Sequence, residues 1–149
     1  MLDSFDLRLV EALARDGSLS NVELSARLHL SASQCSRRRA ALERAGVIRG
    51  YRAVLDYQKL GRGISAITRI TLDTHSPDAA NEFVMAVERL QQVNWAAVVT
   101  GDADYVLWIR VGSLEELADF INDRLLSQRA VRQVRSEVVL RTLKQDGMT

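Results

Sequence analysis

Residues 31–51, SASQCSRRRAALERAGVIRGY, constrain the fold of this 149-residue chain more than any other stretch. Ser31 lies three residues before Gln34, which is the reciprocal capping pattern that begins an α-helix. Gly46 follows at the place where a left-handed residue commonly ends one. Between the two caps stand three consecutive arginines, at 37–39. A short, capped helix that carries several cations is typical of a helix lying in the major groove of DNA, so the stretch predicts a DNA-binding helix.

Charge is distributed unevenly along the chain. The formal net charge is only +1, so the overall composition does not indicate a nucleic-acid partner. Around the predicted helix, however, a single acid, Glu43, stands among seven arginines: Arg27, Arg37, Arg38, Arg39, Arg44, Arg49 and Arg52. This local excess favours a basic module that faces double-stranded DNA, joined to a neutral or acidic partner domain.

The first part of the chain predicts a winged helix-turn-helix. One helix begins near Asp3, and a second capping box at residues 20–23 begins another. A tight turn at residues 29–30 leads directly into the third helix, which is the helix-turn-helix arrangement. Residues 47–48 and 51–55 alternate like two strands of a small wing.

The second part predicts a βαββαβ ferredoxin-like plait, which makes the whole chain an α+β protein. The expected elements are a strand at 64–72, a helix from Ser76-Pro77-Asp78, strands at 93–100 and 105–111, a helix from a third capping box at Ser113 and Glu116, and a strand at 131–140. Two glycines at 61–63 indicate a short hinge. The expected domains are therefore a DNA-binding domain at 1–60 and a plait at 64–149.

The strand at 105–111 is apolar on both of its faces. Leu107 and Ile109 lie on one face, and Val106 and Trp108 lie on the other. Because the two helices of a plait cover one face of its sheet, the second apolar face needs another cover. The same sheet from a second subunit is the most economical one, so the pattern predicts an obligate homodimer.

The order of these elements and several short motifs together resemble the Lrp/AsnC family of bacterial and archaeal regulators over essentially the whole chain. The motifs here are Leu2-Asp3 with Asp6, Asn21-Val22-Glu23-Leu24, Leu30-Ser31, Arg38, Leu42-Glu43, Gly46-Val47-Ile48, Gly50-Tyr51, Leu60-Gly61 and Thr100-Gly101-Asp102 with Asp104-Tyr105. The resemblance implies a transcription factor that dimerises through the plait and assembles dimers into tetramers or octamers. It also implies a small effector, usually an amino acid, bound at contacts between dimers.

Three departures from the family pattern bear on the structure. His29 stands where the family often has glycine, and histidine tolerates left-handed backbone better than most residues, so we expect the turn to form. Arg39 stands where the third helix usually has an apolar residue, and we expect its guanidinium to reach outward past the core. Residues 129–131 lack the usual Pro-Gly turn, and Val134 replaces a frequent hydroxyl residue, in the region that the family uses for its effector.

The three consecutive arginines span about 200° of helix surface at roughly 100° per residue, so they cannot all face DNA. The N-terminal part of a recognition helix meets base edges. The residues that this rule selects are Ser33, Gln34, Ser36 and Arg37. The residues better placed for phosphates are Arg27, Ser31, Arg38, Arg49 and Arg52. A solvated basic face remains the alternative interpretation.

Residues 101–104 have two interpretations. One is a plain hairpin turn, since Gly and Asp dominate turns for backbone reasons. The other is an effector site, in which backbone N–H groups meet the carboxylate of an amino acid and Asp104 meets its ammonium group. The candidate effector-binding residues are Thr100, Gly101, Asp102, Asp104, Gln133 and Ser136.

Other classes of function find little support in the sequence. We expect no enzyme, because no Ser/His/Asp arrangement and no glycine-rich phosphate loop followed by lysine is present. We expect no metal, because His29 and His75 lack the further ligands that a metal site needs. No cofactor is expected beyond a small-molecule effector. The alternative that stays open is an amino-acid-sensing protein that acts through protein contacts without binding DNA.

Cysteine usage and the N-terminus indicate where the protein works. The lone cysteine, Cys35, excludes an internal disulfide and fits a reducing cytoplasm, and we expect it to be a small buried helix residue. The first residues carry acids and no basic region of a signal peptide. No apolar run is long enough to cross a bilayer. We therefore expect a cytoplasmic protein with no membrane partner.

Overall fold

The computed structural model describes residues 2–73 and 77–144. The chain forms two compact units, the first ending at Val54 and the second beginning at Leu55, which places the division ahead of the expected hinge. Each unit has its own hydrophobic core. The expected helix start at Ser76 and the interpretation of His75 lie outside the described residues.

The first unit contains three α-helices: α1 (Ser4–Arg15), α2 (Asn21–Leu28) and α3 (Ala32–Arg44). Each helix begins with a full reciprocal capping box, which satisfies backbone N–H groups that a helix start otherwise leaves unpaired. The N-cap residues are Asp3, Ser20 and Ser31. The predicted capping boxes of α2 and α3 are confirmed, and α1 begins next to Asp3, as expected.

The turn between α2 and α3 forms as expected. His29 caps α2 in the left-handed conformation, with φ 55° and ψ 42°, and Ser31 begins the next helix two residues later. Gly46 is likewise left-handed, with φ 71°, and lies just past the end of α3. The predicted helix-turn-helix is therefore confirmed, including the histidine in place of glycine.

The predicted strands of the wing are wrong. In residues 45–63, all of which are described, the chain forms no strand. The N–H groups of Val47 and Ile48 instead donate to the carbonyl of Leu42, in the last turn of α3, at 3.0 and 3.2 Å. Alternation shows which side chains turn inward, and Ile48 does pack on the core. A strand also needs a second strand to pair with, and alternation does not supply one.

The second unit is the predicted plait. Its elements are β1 (Ile64–Leu72), α4 (Pro77–Glu88), β2 (Val93–Val98), β3 (Tyr105–Val111), α5 (Leu114–Phe120), a π-helical segment (Ile121–Leu126) and β4 (Val131–Val138). The four strands form one antiparallel sheet in the order β2-β3-β1-β4. Strands β2 and β4 each end two residues before their predicted ends.

The predicted capping box at the start of α5 forms only in part. Ser113 Oγ accepts from the N–H of Glu116 at 3.0 Å, as a capping serine does. The carboxylate of Glu116, however, accepts from the N–H of Gly112 at 2.7 Å rather than from Ser113. The second half of the box is therefore wrong, and this carboxylate ties the end of β3 to α5.

The outer face of the sheet, opposite the helices, is apolar at its centre. The strand register places Trp108 between Trp95 on β2 and Ile67 on β1. The indole Nε1 of Trp108 and the Nε of Arg110 on the same strand are buried, yet neither has a hydrogen-bond partner within the described residues. This face therefore combines apolar surface with donors that the subunit itself leaves unpaired.

Candidate nucleic-acid interface and effector region

Helix α3 directs its three consecutive arginines in three different directions. Arg37 is exposed, Arg38 turns toward α1, and Arg39 turns toward Tyr51 beyond the end of the helix. This follows from the rotation of about 100° per residue in an α-helix. Arg37 is thus the member of the run that presents its charge to solvent.

Arg38 joins the recognition helix to the start of α1. Its Nη1 donates to Asp3 Oδ2 and to Asp6 Oδ1, both at 2.7 Å, and its guanidinium lies over the ring of Phe5. The backbone N–H of Asp6, and next the Arg38 guanidinium, hold the pKa of Asp3 below its ordinary value. We call Arg38, Asp3 and Asp6 the Arg38 clamp. Contact between Arg38 and a DNA phosphate stays a prediction.

Arg39 does not reach outward as expected. Its Nη1 donates to the carbonyl of Leu19 at 3.0 Å, and its Nε donates to the hydroxyl of Tyr51 at 2.7 Å. Glu43 Oε1 is a further acceptor of Nε, at 3.4 Å. Acceptors inside the domain therefore hold the guanidinium. Spacing along α3 reveals Glu43 as a neighbour, but nothing in the local sequence indicates Tyr51 or Leu19.

The N-terminal half of α3 presents small polar side chains to solvent. Ser33, Ser36 and Arg37 are exposed, while Cys35 is fully buried on the opposite side, as the sequence predicts. The exposed amide of Gln34 accepts from the N–H of Ser31 at 2.9 Å. The cap therefore orients this amide, and an oriented amide is suited to reading a base edge.

The remaining candidates for DNA contact lie around this helix. Arg27 at the end of α2, and Arg49 and Arg52 after α3, are all exposed. Exposed cations of this kind contact phosphates in DNA complexes. The DNA roles assigned to Arg27, Ser31, Ser33, Gln34, Ser36, Arg37, Arg38, Arg49 and Arg52 all stay predictions.

The 101–104 turn is bound tightly to the end of β1. Asp104 Oδ2 accepts from the N–H of Leu72 at 2.7 Å, and the N–H of Asp104 donates to the carbonyl of Ile70 at 2.9 Å. Thr71 Oγ1 donates to the carbonyl of Asp102 at 3.3 Å. Gly101 has φ 115°, which glycine adopts at no steric cost. These bonds give Asp104 a structural role in the hairpin. They do not test the second interpretation, in which the turn also binds an effector.

The two β4 candidates lie on opposite faces of the sheet. Gln133 pairs with Thr71 on the outer face, next to the 101–104 turn, and is exposed. Ser136 pairs with Thr68 on the helix-covered face, where the two hydroxyl oxygens lie 2.7 Å apart. One ligand within a single subunit therefore cannot use both residues. The structure groups Gln133 with the turn, together with the exposed Thr100 and Asp102, and separates Ser136 from it.

Two further observations concern the described residues only. Among residues 2–73 and 77–144, no group of three or more His, Cys, Asp or Glu side chains is arranged to hold a metal ion. Within the same ranges, no helix combines the length and apolarity needed to span a membrane.

Comparison with known proteins assigns the family. Residues 65–149 match the Lrp/AsnC ligand binding domain, and residues 2–49 match a winged helix-turn-helix DNA-binding domain. The chain is 36% identical to the leucine-responsive regulatory protein of Haemophilus influenzae over 144 residues, 97% of this chain and 87% of that protein. It is also 36% identical to the leucine-responsive regulatory protein of Escherichia coli over 146 residues, 98% and 89% of the two chains.

A solved structure agrees with this assignment. The crystal structure of a transcriptional regulator from Neisseria meningitidis in complex with L-Met matches with a TM-score of 0.95 at 33% identity, covering 100% of this chain and 96% of that one. The fold, the sequence and the position of the capped basic helix thus lead to the same assignment. The chain belongs to the Lrp/AsnC family of DNA-binding transcriptional regulators.

Proposed function

We propose that the chain is a sequence-specific DNA-binding regulator of transcription whose activity responds to an amino acid or a related small metabolite. One observation carries the DNA-binding part. Helix α3 buries Cys35 and Leu42 on one side and presents Ser33, Ser36 and Arg37 on the other, behind a cap that orients the first turn. A recognition helix needs this division into a core face and a reading face.

The amino-acid class of the effector is supported by the relatives. Two of them are leucine-responsive regulatory proteins, and a third is a complex with L-Met. In this chain the proposed contacts are the backbone and side chains of Thr100, Gly101, Asp102 and Asp104, with Gln133 beside them. The exposed part of this group offers both N–H donors and carboxylate acceptors, which suits a zwitterion. Ser136 belongs to the proposal only as a residue that supports β1.

A second copy of the chain is the proposed occupant of the outer face of the sheet. The apolar side chains around Trp108, among them the 41% exposed Trp95, favour a partner that covers them. Dimers built in this way present two copies of α3, which suits a palindromic operator. We propose further assembly to a tetramer or octamer, no catalytic activity, no cofactor besides the effector, and a cytoplasmic location.

The test begins with selection of duplexes from a random pool by the purified protein. We expect one enriched motif with two-fold symmetry, and we expect Arg37→Gln to reduce the preference for that duplex over a scrambled one. Arg44→Gln, which removes an exposed arginine at the far end of α3, is the matched control. A pool without enrichment would overturn the DNA-binding proposal and favour the sensor that acts through protein contacts alone.

The effector is tested on the same protein with the twenty amino acids. A selective ligand should raise the melting temperature in proportion to the logarithm of its concentration and change the affinity for the selected duplex. Ligands that change neither quantity, across the whole set, would overturn the amino-acid part of the proposal.

A further inference from the structure

A polar network at the surface of the first unit holds Tyr51 against α3. The hydroxyl of Tyr51 donates to Glu43 Oε1 at 2.7 Å and accepts from Arg39 Nε at 2.7 Å. The guanidinium carbon of Arg39 lies 4.5 Å from the centroid of the Tyr51 ring, within the range of a cation–π contact. Burial, and next the bond to Glu43, raise the pKa of Tyr51, so its hydroxyl stays protonated through neutral pH.

The same network reaches the turn between α1 and α2. Arg39 Nη1 donates to the carbonyl of Leu19, in the residue before the cap of α2. The ring of Tyr51 also lies close to this turn. A Cβ added at Gly17 would come within 3.3 Å of the Cδ1 atom of Tyr51. We call Arg39, Glu43 and Tyr51, with the Leu19 carbonyl, the Tyr51 lock.

The segment that carries Tyr51 is bound to α3 at its start. Its backbone bonds to α3 through the N–H groups of Val47 and Ile48, at the start of the segment, and it forms no strand within the described residues 45–63. Arg49 lies on this segment, two residues before Tyr51, and is exposed. Ile48 anchors the chain on one side of Arg49, and the side chain of Tyr51 anchors it on the other.

We propose that the Tyr51 lock is a positioning device that holds Arg49 beside the recognition helix for contact with the DNA backbone. Within the single subunit the lock acts without strand pairing at residues 45–63. Tyr51, Arg39 and Glu43 are positioning residues, and they need not touch DNA themselves. The inference rests on the proposed DNA binding, and the two experiments below separate its failure from the failure of that function.

The first experiment measures the lock without DNA. Tyr51→Phe removes the hydroxyl and keeps the ring, so the domain retains its packing against Gly17. The backbone order parameters of residues 49–54, measured by NMR relaxation, should fall, and those within α2 and α3 should stay unchanged. Arg39→Leu, which removes the donor to both Tyr51 and Leu19, should give the same pattern. Unchanged order parameters at residues 49–54 in both variants overturn the proposal.

The second experiment measures coupling in the complex with the selected duplex. Arg49→Gln should reduce the slope of log affinity against log salt by about 0.9, which corresponds to one phosphate contact. In the Tyr51→Phe background the same substitution should change the slope much less, because the contact is already weakened. Arg37→Gln is the control, since its effect should be equal in the two backgrounds.

The outcomes of the second experiment are distinct. If the wild-type chain binds the duplex and Arg49→Gln has the same effect in both backgrounds, the lock is structural only and the positioning proposal is overturned. If the wild-type chain binds no duplex, the proposed function itself fails, and the inference fails with it.

Discussion

Arg38 shows how one side chain connects two helices of the first unit. Its guanidinium binds both carboxylates of the α1 capping box, so the cap of one helix is also the anchor of another. The side chain of Arg38 is 28% exposed, so solvent screens these ion pairs only in part. The Arg38 clamp should therefore contribute to stability in a way that depends on the charge of Asp3.

The clamp predicts how stability changes in acid. Because the pKa of folded Asp3 is lower than in the unfolded chain, its contribution is complete above the ordinary aspartate pKa and is lost as the pH falls through the folded value. Asp3→Asn keeps a good N-cap residue but removes the charge. We expect this variant to unfold at lower urea near neutral pH and to lose less stability than wild type between about pH 4 and pH 2.

A control and a contrary outcome complete this prediction. Glu11→Gln removes an ion pair to Arg15 whose side chains are 70% and 79% exposed, so its urea midpoint should stay close to wild type at every pH. Parallel pH profiles for wild type and Asp3→Asn would contradict the clamp.

The side-chain contacts divide by sequence separation into those that could be predicted and those that could not. Capping bonds join residues three apart, so Ser31 and Gln34 could be paired by inspection. Arg38 and Asp3 are 35 residues apart, and Arg39 and Tyr51 are 12 apart. No local pattern reports such contacts, because they depend on how α1 and the segment after α3 pack. The sequence therefore identifies Arg38 and Arg39 as cations, but it does not identify their distant partners Asp3 and Tyr51.

The helix caps give a matched pair of variants for α2 and α3. Ser20 Oγ and Ser31 Oγ each accept from the backbone N–H three residues on, at 3.2 Å in both helices. Replacing either serine with alanine should lower the free energy of unfolding by about 1 kcal/mol. Only Ser31→Ala should also weaken binding to the selected duplex, because Ser31 is a candidate phosphate contact and its Oγ fixes the N–H of Gln34 in the first turn of α3. Urea denaturation and DNA titration of both variants provide the measurement.

The two results discriminate between a local and a general effect. Equal losses of DNA affinity in Ser20→Ala and Ser31→Ala would show that binding follows overall stability rather than the geometry of α3. A loss confined to Ser31→Ala would assign the effect to the first turn of the recognition helix.

At the scale of elements, the sequence predicted what local rules control. Caps located the starts of α2 and α3, and alternation located β1 and β3, since both signals lie within one element. The prediction of wing strands was wrong, because a strand needs a second segment to pair with and alternation alone does not supply one. The sequence did not predict the π-helical segment Ile121–Leu126. Its hydrogen bonds join residues five apart instead of four, and a pattern of apolar residues does not distinguish the two helix types.

The 101–104 turn shows the same limit in the candidate effector site. Gly and Asp indicated a turn correctly, and the left-handed Gly101 agrees with it. The bond from the Leu72 N–H to Asp104 depends on β1 lying beside the hairpin, so the sequence did not reveal it. The opposite orientations of Gln133 and Ser136, by contrast, follow from an odd separation along a strand and were available in advance.

At the scale of the whole molecule, the outer face of the sheet is the surface that we propose for assembly. Apolar side chains from β1, β2 and β3 meet there around Trp108, as the alternation of β3 predicts. A face of this kind is unfavourable in water, and the buried donors of Trp108 and Arg110 add to the cost. A symmetric pair of sheets would cover the apolar face and bring two DNA-binding units into one assembly.

Ile67→Glu tests this assembly directly. Ile67 lies opposite Trp108 on the outer face, so a dimer through this face would have to bury a carboxylate from each subunit close to the two-fold axis. We expect a folded monomer by sedimentation and circular dichroism. Its affinity for the symmetric duplex should fall by a hundredfold or more, about the avidity that two linked half-sites provide.

Met85→Glu is the matched control, because Met85 is 54% exposed on α4, on the helix side of the sheet. This variant should keep the mass and the DNA affinity of wild type, since it places the same charge where water already reaches. A dimer that survives Ile67→Glu would mean that another surface joins the subunits. In that case the apolar outer face of the sheet would need a cover other than a second copy of the sheet.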